Sequence, residues 1–162
     1  MSRLDSAIRR LQAQRACLDL AVELSADIPG PVLEVGLGNG RTYDHLRQAL
    51  PDRRIFAFDR QVAAHPDCIP APEFLILGDV RETLTSALAR TGQKAALIHA
   101  DIGSGDEAAT RSLVETIAPR LVALLAPGGI LVSDQALTHA ALSELPLPDG
   151  VKPGRYQVYR RR

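Results

Sequence analysis

Three glycines at alternate positions follow the apolar run Val32–Val35, and a helical pattern begins directly after them at Arg41. This order predicts a buried strand, a tight turn and the start of a helix. Glycine lacks a Cβ atom, so Gly36, Gly38 and Gly40 allow positive φ and a close approach of the backbone to a ligand. The N–H groups of the first helical turn would face the same space. The pattern therefore predicts a small-molecule site.

The spacing of the glycines limits the choice of ligand. Dinucleotide sites use G-x-G-x-x-G with the pyrophosphate at the helix N-terminus, whereas this chain has G-x-G-x-G, with Arg41 in the position of the third dinucleotide glycine. Glu34, just before the loop, would favour a ligand with a cationic amine over a pyrophosphate, because opposite charges attract. A glycine turn with only a structural role is the alternative interpretation.

Three aspartates stand where predicted strands end. Asp59 closes the strand predicted over 54–59, nineteen positions after Gly40, and an acid at about this distance can accept hydrogen bonds from both hydroxyls of a ribose. Asp79 lies near the end of the strand predicted over 74–80, and Asp101 near the end of 95–101. Ligands of open α/β sheets bind beyond the carboxyl ends of strands, so we expect the three acids at one site. Asp59 and Asp79 could each cap the following helix instead.

These motifs resemble the class I S-adenosylmethionine-dependent methyltransferases over residues 31–134. The first motif of that family is an apolar strand, an acid and G-x-G-x-G; a later Gly-Asp pair such as Gly78-Asp79 binds adenine together with the next backbone N–H, and a turn such as Pro127-Gly128-Gly129 precedes the fifth strand. The resemblance implies S-adenosyl-L-methionine as the cofactor and methyl transfer as the activity. The cofactor-binding residues it implies are Glu34, Gly36, Leu37, Gly38, Gly40, Asp59, Arg60, Gly78, Asp79, Val80 and Asp101.

Asp101 and His99 are the candidate catalytic residues, because the end of the fourth strand should lie beside the reacting centre. Histidine has a pKa near neutrality, but His99 lies within an apolar run and could equally be a hydrogen-bonded core residue. Metal-dependent O-methyltransferases, a second resemblance, place an Asp after the fourth strand and Asp-Asn after the fifth. Asp101 and Asp134-Gln135 occupy those positions here; because Gln replaces Asn, we predict no metal site.

The surrounding elements predict a three-layer α/β/α sandwich with a mostly parallel, Rossmann-like methyltransferase sheet and a shortened antiparallel C-terminal end. An amphipathic helix over 4–24 would precede the core, bordering the site, capping the sheet or forming a dimer contact; its apolar positions are Leu4, Ile8, Leu11, Leu18 and Val22. Further helices are predicted over 41–50, 81–90, 106–125 and 136–145, and a last strand over 155–160.

We expect a single domain over residues 1–162, with the N-terminal helix in 1–30, the cofactor-binding core in 31–134 and a C-terminal segment in 135–162. Lys plus Arg and Asp plus Glu number 19 each, which argues against a nucleic-acid partner held by a general basic field. No stretch resembles a signal peptide or reaches the length of a membrane span. We therefore predict a cytoplasmic protein with a small-molecule acceptor, no membrane partner and a homodimer as an option.

Two other functions stay open at this stage. An NAD-dependent oxidoreductase would require the third dinucleotide glycine, which Arg41 replaces. A non-catalytic S-adenosylmethionine-binding module on the same scaffold is compatible with the short C-terminal segment. The chain lacks the Asn/Asp-Pro-Pro-aromatic tetrapeptide of many base N-methyltransferases, so the resemblance argues against methylation of nucleic-acid bases.

Overall fold

The computed structural model describes residues 2–162. Within this range the α-helices are α1 (Arg3–Leu24), α2 (Arg41–Ala49), α3 (Val80–Thr83), α4 (Ala87–Thr91) and α5 (Glu107–Leu124), and short 3-10 turns cover Pro66–Cys68 and Pro72–Phe74. The strands are β1 (Val32–Val35), β2 (Ile55–Asp59), β3 (Leu75–Leu77), β4 (Ala95–Ala100), β5 (Leu125–Ser133), β6 (Leu142–Glu144) and β7 (Gln157–Arg161).

The strands form one sheet in the order β3-β2-β1-β4-β5-β7-β6. Strands β1 to β5 are parallel, whereas β7 runs antiparallel to both β5 and β6. The strand order reverses between β1 and β4, and ligands of open α/β sheets bind at such a reversal, outside the carboxyl ends of the strands. The predicted fold, a mostly parallel sheet with an antiparallel C-terminal end, is confirmed.

Two apolar layers cover the two faces of the sheet. Helices α1 and α2 pack on one face, where Leu18 and Leu46 meet Val32 of β1. Helices α3, α4 and α5 pack on the other, where Leu121 belongs to the same cluster as Leu33. Adjacent residues of β1 thus point to opposite helical layers, as the two-residue period of a strand requires. Both faces are covered, which explains why β1 and β4 are buried along their whole length.

The N-terminal half of α1 departs from the predicted apolar face. Leu18 is buried as expected, but Leu4, Ile8 and Leu11 are exposed. The helix instead buries a second set of residues, which includes Ala13, Cys17 and Ala21. Small side chains allow the C-terminal half of α1 to pack closely on the sheet. No helix within residues 2–162 has the length and apolarity needed to cross a lipid bilayer.

The predicted helix over 81–90 is wrong, because the chain forms α3 and α4 with an irregular segment between them. The hydroxyl of Thr85 donates to the Glu82 carbonyl at 2.6 Å and that of Ser86 to the Thr83 carbonyl at 3.3 Å. Hydroxyl groups that bond to nearby carbonyls compete with the helical hydrogen-bond ladder. The adjacent residues Thr85 and Ser86 therefore interrupt the helix after Leu84.

The predicted helix over 136–145 is also wrong. Residues Leu142–Glu144 form β6, which pairs with β7, and the residues between β5 and β6 are irregular. The Leu137 N–H donates to the Tyr159 hydroxyl at 2.9 Å, which fixes this segment beside β7. For residues 142–144, pairing with β7 outweighs the short helical pattern of the sequence. Intrinsic propensity only weakly determines which secondary structure a short segment adopts.

Candidate functional site

The glycine loop after β1 has the backbone that only glycine adopts easily. Gly36, Gly38 and Gly40 have φ values of 93°, 52° and 84°. A Cβ atom at Gly36 would lie 2.1 Å from the Asp101 carbonyl oxygen, and one at Gly40 would lie 2.5 Å from Cys68 Cβ. A Cβ atom at Gly38 would meet nothing within 4 Å. Two of the glycines thus allow close packing of the protein, and Gly38 leaves space open in front of the loop.

Asp59 ties the end of β2 to this loop. One carboxylate oxygen accepts a hydrogen bond from the Gly38 N–H at 2.9 Å, and the other accepts from the Arg60 N–H at 2.6 Å. An ionised carboxylate offers about four acceptor positions, so two remain for a ligand. The aspartate therefore holds the loop in place and can still accept the hydroxyl groups of a diol.

Asp79 is the N-cap of α3, the alternative considered for it from the sequence. Its carboxylate accepts from the Arg81 N–H at 2.9 Å and from the Arg81 guanidinium at 3.0 Å. The Arg81 N–H and the nearby charges of Arg81 and Arg60 hold the pKa of Asp79 below its usual value. Val80 is the first residue of α3, so its N–H has no acceptor within the helix and is free for a ligand.

Two clefts meet at the carboxyl edge of the sheet. The first has a volume of about 340 Å³ and is lined by residues that include Asp59, Arg60, Gly78, Val80 and Ser104. The second has a volume of about 270 Å³ and is lined by residues that include Arg10, Gln14, Gly38, Arg41 and Thr42. We call them the adenosine cleft and the methionine cleft, after the two ends of the cofactor that the sequence resemblance implies. Both are lined by Gly36, Asp101 and Gly103, which we call the junction.

The Asp101 carboxylate at the junction is held on one side only. Its Oδ2 atom accepts hydrogen bonds from Gln14 Nε2 at 2.8 Å and from the Tyr156 hydroxyl at 3.2 Å, and lies 3.9 Å from the Arg10 guanidinium. Its Oδ1 atom accepts no hydrogen bond from any residue between 2 and 162. The side chain is about one quarter exposed. Asp101 thus presents a fixed, available oxygen to the space where the clefts meet.

Glu34 and His99 form a fully buried pair beneath the junction. His99 Nδ1 lies 2.8 Å from Glu34 Oε2, both side chains are completely buried, and the other Glu34 oxygen accepts from the Thr42 hydroxyl. The ring of His99 stacks on that of Tyr156, with centroids 6.1 Å apart. The predicted contact of Glu34 with a ligand amine and the predicted role of His99 as an accessible general base are therefore wrong, because neither side chain reaches a cleft. The alternative of a buried core histidine describes His99.

The charges around His99 determine its protonation. Burial by itself would lower its pKa, but the adjacent Glu34 carboxylate and the further negative charges of Asp101 and Asp134 outweigh this effect and raise the pKa above its usual value. A protonated imidazole can donate from Nδ1 to Glu34. The Nε2 atom has no hydrogen-bond partner among the described residues. The raised pKa favours the protonated form of the imidazole, whose charge the Glu34 carboxylate can balance.

Asp134 supports the loop that follows β4. Its carboxylate accepts from the N–H groups of Ile102 and Gly103 at 3.0 and 2.9 Å and from Gln135 Nε2 at 2.9 Å. Burial raises the pKa of this carboxyl above its usual value. Within residues 2–162 no group of three or more His, Cys, Asp or Glu side chains could hold a metal ion. Asp134 thus positions Gly103 at the junction.

Gln14, Tyr156 and Arg10 were missed from the sequence, although each contacts Asp101. Gln14 lies 87 residues from Asp101 along the chain, and Tyr156 lies 55 residues from it. One signal was present, because Gln14 stands three positions after Leu11 and four before Leu18, on the apolar face of the predicted helix. A polar residue that a helix buries needs a partner.

The fold and the joined clefts define a Rossmann-like methyltransferase domain. A family model described as S-adenosyl-L-methionine methyltransferase matches residues 1–161, and the chain therefore belongs to this family. The match confirms both the resemblance and the prediction of S-adenosyl-L-methionine as the cofactor.

The chain is similar over its whole length to a crystal structure of an S-adenosyl-L-methionine methyl transferase from Silicibacter pomeroyi DSS-3, with 49% identity, 99% of each chain covered and a TM-score of 0.91. TrmN from Thermus thermophilus shares 21% identity over 94% of this chain and 49% of its own, with a TM-score of 0.65. The N-methyltransferase NodS from Bradyrhizobium japonicum WM9 shares 16% identity over 99% and 98%, with a TM-score of 0.54. The last two likenesses show the fold alone. Comparison with curated proteins finds no match.

The raised pKa of His99 predicts a specific pH dependence of stability. Protonation of His99 contributes to the free energy of unfolding. This contribution is complete below the unfolded-state pKa of about 6.5 and is lost as the pH rises through the higher pKa of the folded state. We expect the melting temperature of the wild type to fall, relative to that of a Glu34→Gln, His99→Gln double variant, as the pH rises above about 6.5. The two amides can bond to each other and do not titrate. A difference in melting temperature that stays constant over this range would contradict the raised pKa.

Proposed function

We propose that the protein transfers a methyl group from S-adenosyl-L-methionine to a small-molecule acceptor at the junction of the two clefts. The observation that carries this proposal is the arrangement of the clefts: one offers groups suited to an adenosine, the other offers groups suited to an amino acid, and they meet at Asp101. A single elongated ligand with these two ends would place its central atoms at the junction.

The adenosine cleft fits one end of this cofactor. The free acceptor positions of Asp59 suit the two ribose hydroxyls. The Asp79 carboxylate and the Val80 N–H can pair with the amine and a ring nitrogen of adenine, because one accepts and the other donates. Phe58 lines the same cleft and adds an apolar wall. Each role is compatible with the structural role of the same residue, since capping leaves acceptor positions unused.

The methionine cleft fits the other end. The Gly38 loop leaves open space in front of the backbone, and a cofactor can lie against it there. Arg10 lines this cleft, and its guanidinium suits the carboxylate of an amino acid because it can donate two parallel hydrogen bonds. Gln14 and Thr42 add neutral polar groups. The cleft therefore provides for the charge and the hydrogen bonds of an amino-acid group.

When bound, the cofactor would supply a methyl group on a positively charged sulfur. The lone pair of the acceptor would form the new bond to this carbon, and the electron pair of the broken carbon–sulfur bond would remain on sulfur. The protein aligns the acceptor and places negative charge near the junction. We propose that Asp101 Oδ1 takes the proton of an acceptor that carries one, because Asp101 lines both clefts and this atom has no other partner among the described residues. Gln14 and Tyr156 hold the carboxylate in position.

Ligand preference and turnover test this proposal directly. In calorimetric titrations we expect S-adenosyl-L-methionine to bind more tightly than NADH, because the loop lacks the third dinucleotide glycine. Incubation with radiolabelled cofactor and a metabolite panel should then give a labelled product, and Asp101→Asn should lose turnover while it retains binding. Tighter binding of NADH would refute the assignment, and binding without transfer to any acceptor would favour a non-catalytic module.

Asp59→Ala should weaken cofactor binding about 100-fold, because the variant removes the acceptor for a ribose diol and releases the Gly38 N–H. Asp59→Asn keeps one acceptor oxygen, so we expect a smaller loss. The matched control is Asp52→Ala, which removes an exposed carboxylate from a turn outside both clefts. Calorimetry gives the affinity of each variant, and unchanged affinity in Asp59→Ala would rule out the ribose assignment.

Gly38→Ala tests whether the cofactor lies against the glycine loop. The added methyl group would meet no protein atom within 4 Å but would enter the space in front of the loop, so we expect cofactor affinity to fall at least about tenfold. Gly92→Ala is the control, because Gly92 also has positive φ and nothing within 4 Å, yet lines neither cleft. Both variants should lose similar stability, about 1–2 kcal/mol, by thermal unfolding. Wild-type affinity in Gly38→Ala would contradict the proposed position.

A further inference from the structure

A groove between α1 and α2 stands open beside the methionine cleft. It has a volume of about 400 Å³ and is lined by residues that include Ile8, Leu11, Leu18, Arg15, Arg41 and His45. We call it the α1–α2 groove. Ile8 is 44% exposed and Leu11 is 37% exposed, so apolar side chains face water on the helix that was predicted to bury them. Their exposure points to a ligand, because a volume of a few hundred Å³ suits a small organic molecule.

The groove opens into the methionine cleft. Leu11, Gln14, Arg41 and Thr42 line both spaces. Gln14 also donates to Asp101 at the junction, 2.8 Å from its Oδ2 atom. A molecule seated in the groove therefore extends toward the space in which the transferred group is expected. The groove is a part of the same site rather than a separate one.

The charge of the groove is positive. The guanidiniums of Arg15 and Arg41 form no ion pair and no hydrogen bond with another residue between 2 and 162. The lining of the groove contains no carboxylate. His45 differs, since it lies 2.7 Å from Asp19. The chain as a whole has no net charge, so two unpaired guanidiniums beside an apolar wall are a local feature. Guanidiniums bind carboxylate and phosphate groups with two parallel hydrogen bonds.

We infer that the methyl acceptor is an amphipathic organic anion bound in the α1–α2 groove. Its anionic group lies on the guanidiniums of Arg15 and Arg41, and its apolar part packs against Ile8, Leu11 and Leu18. The inference rests on the proposed function, because it assigns the adjoining cleft to the cofactor. A second copy of the chain fits less well, since a stable interface buries about 800 Å² per partner and the exposed large apolar side chains of α1 are Leu4, Ile8 and Leu11.

Calorimetric titration with simple probes tests the chemistry of the groove. Dodecanoate, dodecylammonium and acetate are titrated, below micelle-forming concentrations, into the protein saturated with S-adenosylhomocysteine. We expect one site for dodecanoate, with the other two probes bound at least about tenfold more weakly, because each lacks either the negative charge or the apolar chain. Equal binding of dodecylammonium, or no binding of dodecanoate, would overturn the inference.

Variants then locate the site. Arg15→Gln and Ile8→Ser should each weaken dodecanoate binding about tenfold, because one removes a charge-assisted contact and the other an apolar one. Their controls are Arg3→Gln, at an exposed arginine of the same helix that does not line the groove, and Leu88→Ser on α4, where Leu88 is 45% exposed. An equal loss of dodecanoate affinity in the control variants would show that dodecanoate does not bind in the α1–α2 groove.

Two further measurements separate the possible failures. All four variants should bind S-adenosylhomocysteine as the wild type does, since neither Arg15 nor Ile8 lines the adenosine or methionine cleft. If the wild type does not bind S-adenosylhomocysteine, the proposed function is refuted. If it binds S-adenosylhomocysteine but not dodecanoate, only the inference about the α1–α2 groove is refuted. Sedimentation analysis tests the other occupant: a dimer that dissociates in Ile8→Ser would assign the groove to a second copy and overturn the inference.

Discussion

The buried pair of Glu34 and His99 is the interaction on which the arrangement of the site depends. Both side chains are excluded from water, and a buried charge without a partner would be strongly unfavourable. The pair is satisfied only if β1 and β4 are adjacent in the observed register, in which these two residues lie opposite each other. This register brings the glycine loop after β1 beside Asp101 after β4. The placement of the glycine loop and Asp101 at the junction thus depends on the pairing of Glu34 with His99 in the core.

The pair also connects elements that share no backbone pairing. The Thr42 hydroxyl attaches the first turn of α2 to Glu34, and the ring of Tyr156 covers that of His99. Tyr156 in turn contacts Asp101 and Gln14. The polar groups behind the site therefore form a continuous path from α2 through the sheet to α1. Buried polar networks contribute to a unique packing arrangement, although His99 Nε2 has no hydrogen-bond partner among the described residues.

Much of the site was predictable because its signals are local. The glycine loop, Asp59 and Asp79 each stand within a few residues of a strand end, and the parallel sheet brings those ends together. Predictions failed where a distant contact decides the outcome. The acid of the first motif looked available to a ligand, but its partner His99 lies 65 residues away. The helix predicted over 136–145 likewise failed, because β7 offers this segment a strand to pair with.

The placement of Tyr156 has a consequence for the order in which this protein matures. Tyr156 immediately precedes β7. Its hydroxyl contacts Asp101 and also Gln14, which lies 142 residues earlier in the chain. The support behind the junction is therefore incomplete until the last strand has inserted between β5 and β6. During synthesis, a chain that has already formed its glycine loop and first parallel strands still lacks the hydrogen bond from the Tyr156 hydroxyl to Asp101. Occupancy of the site would then select fully assembled molecules over partly folded ones.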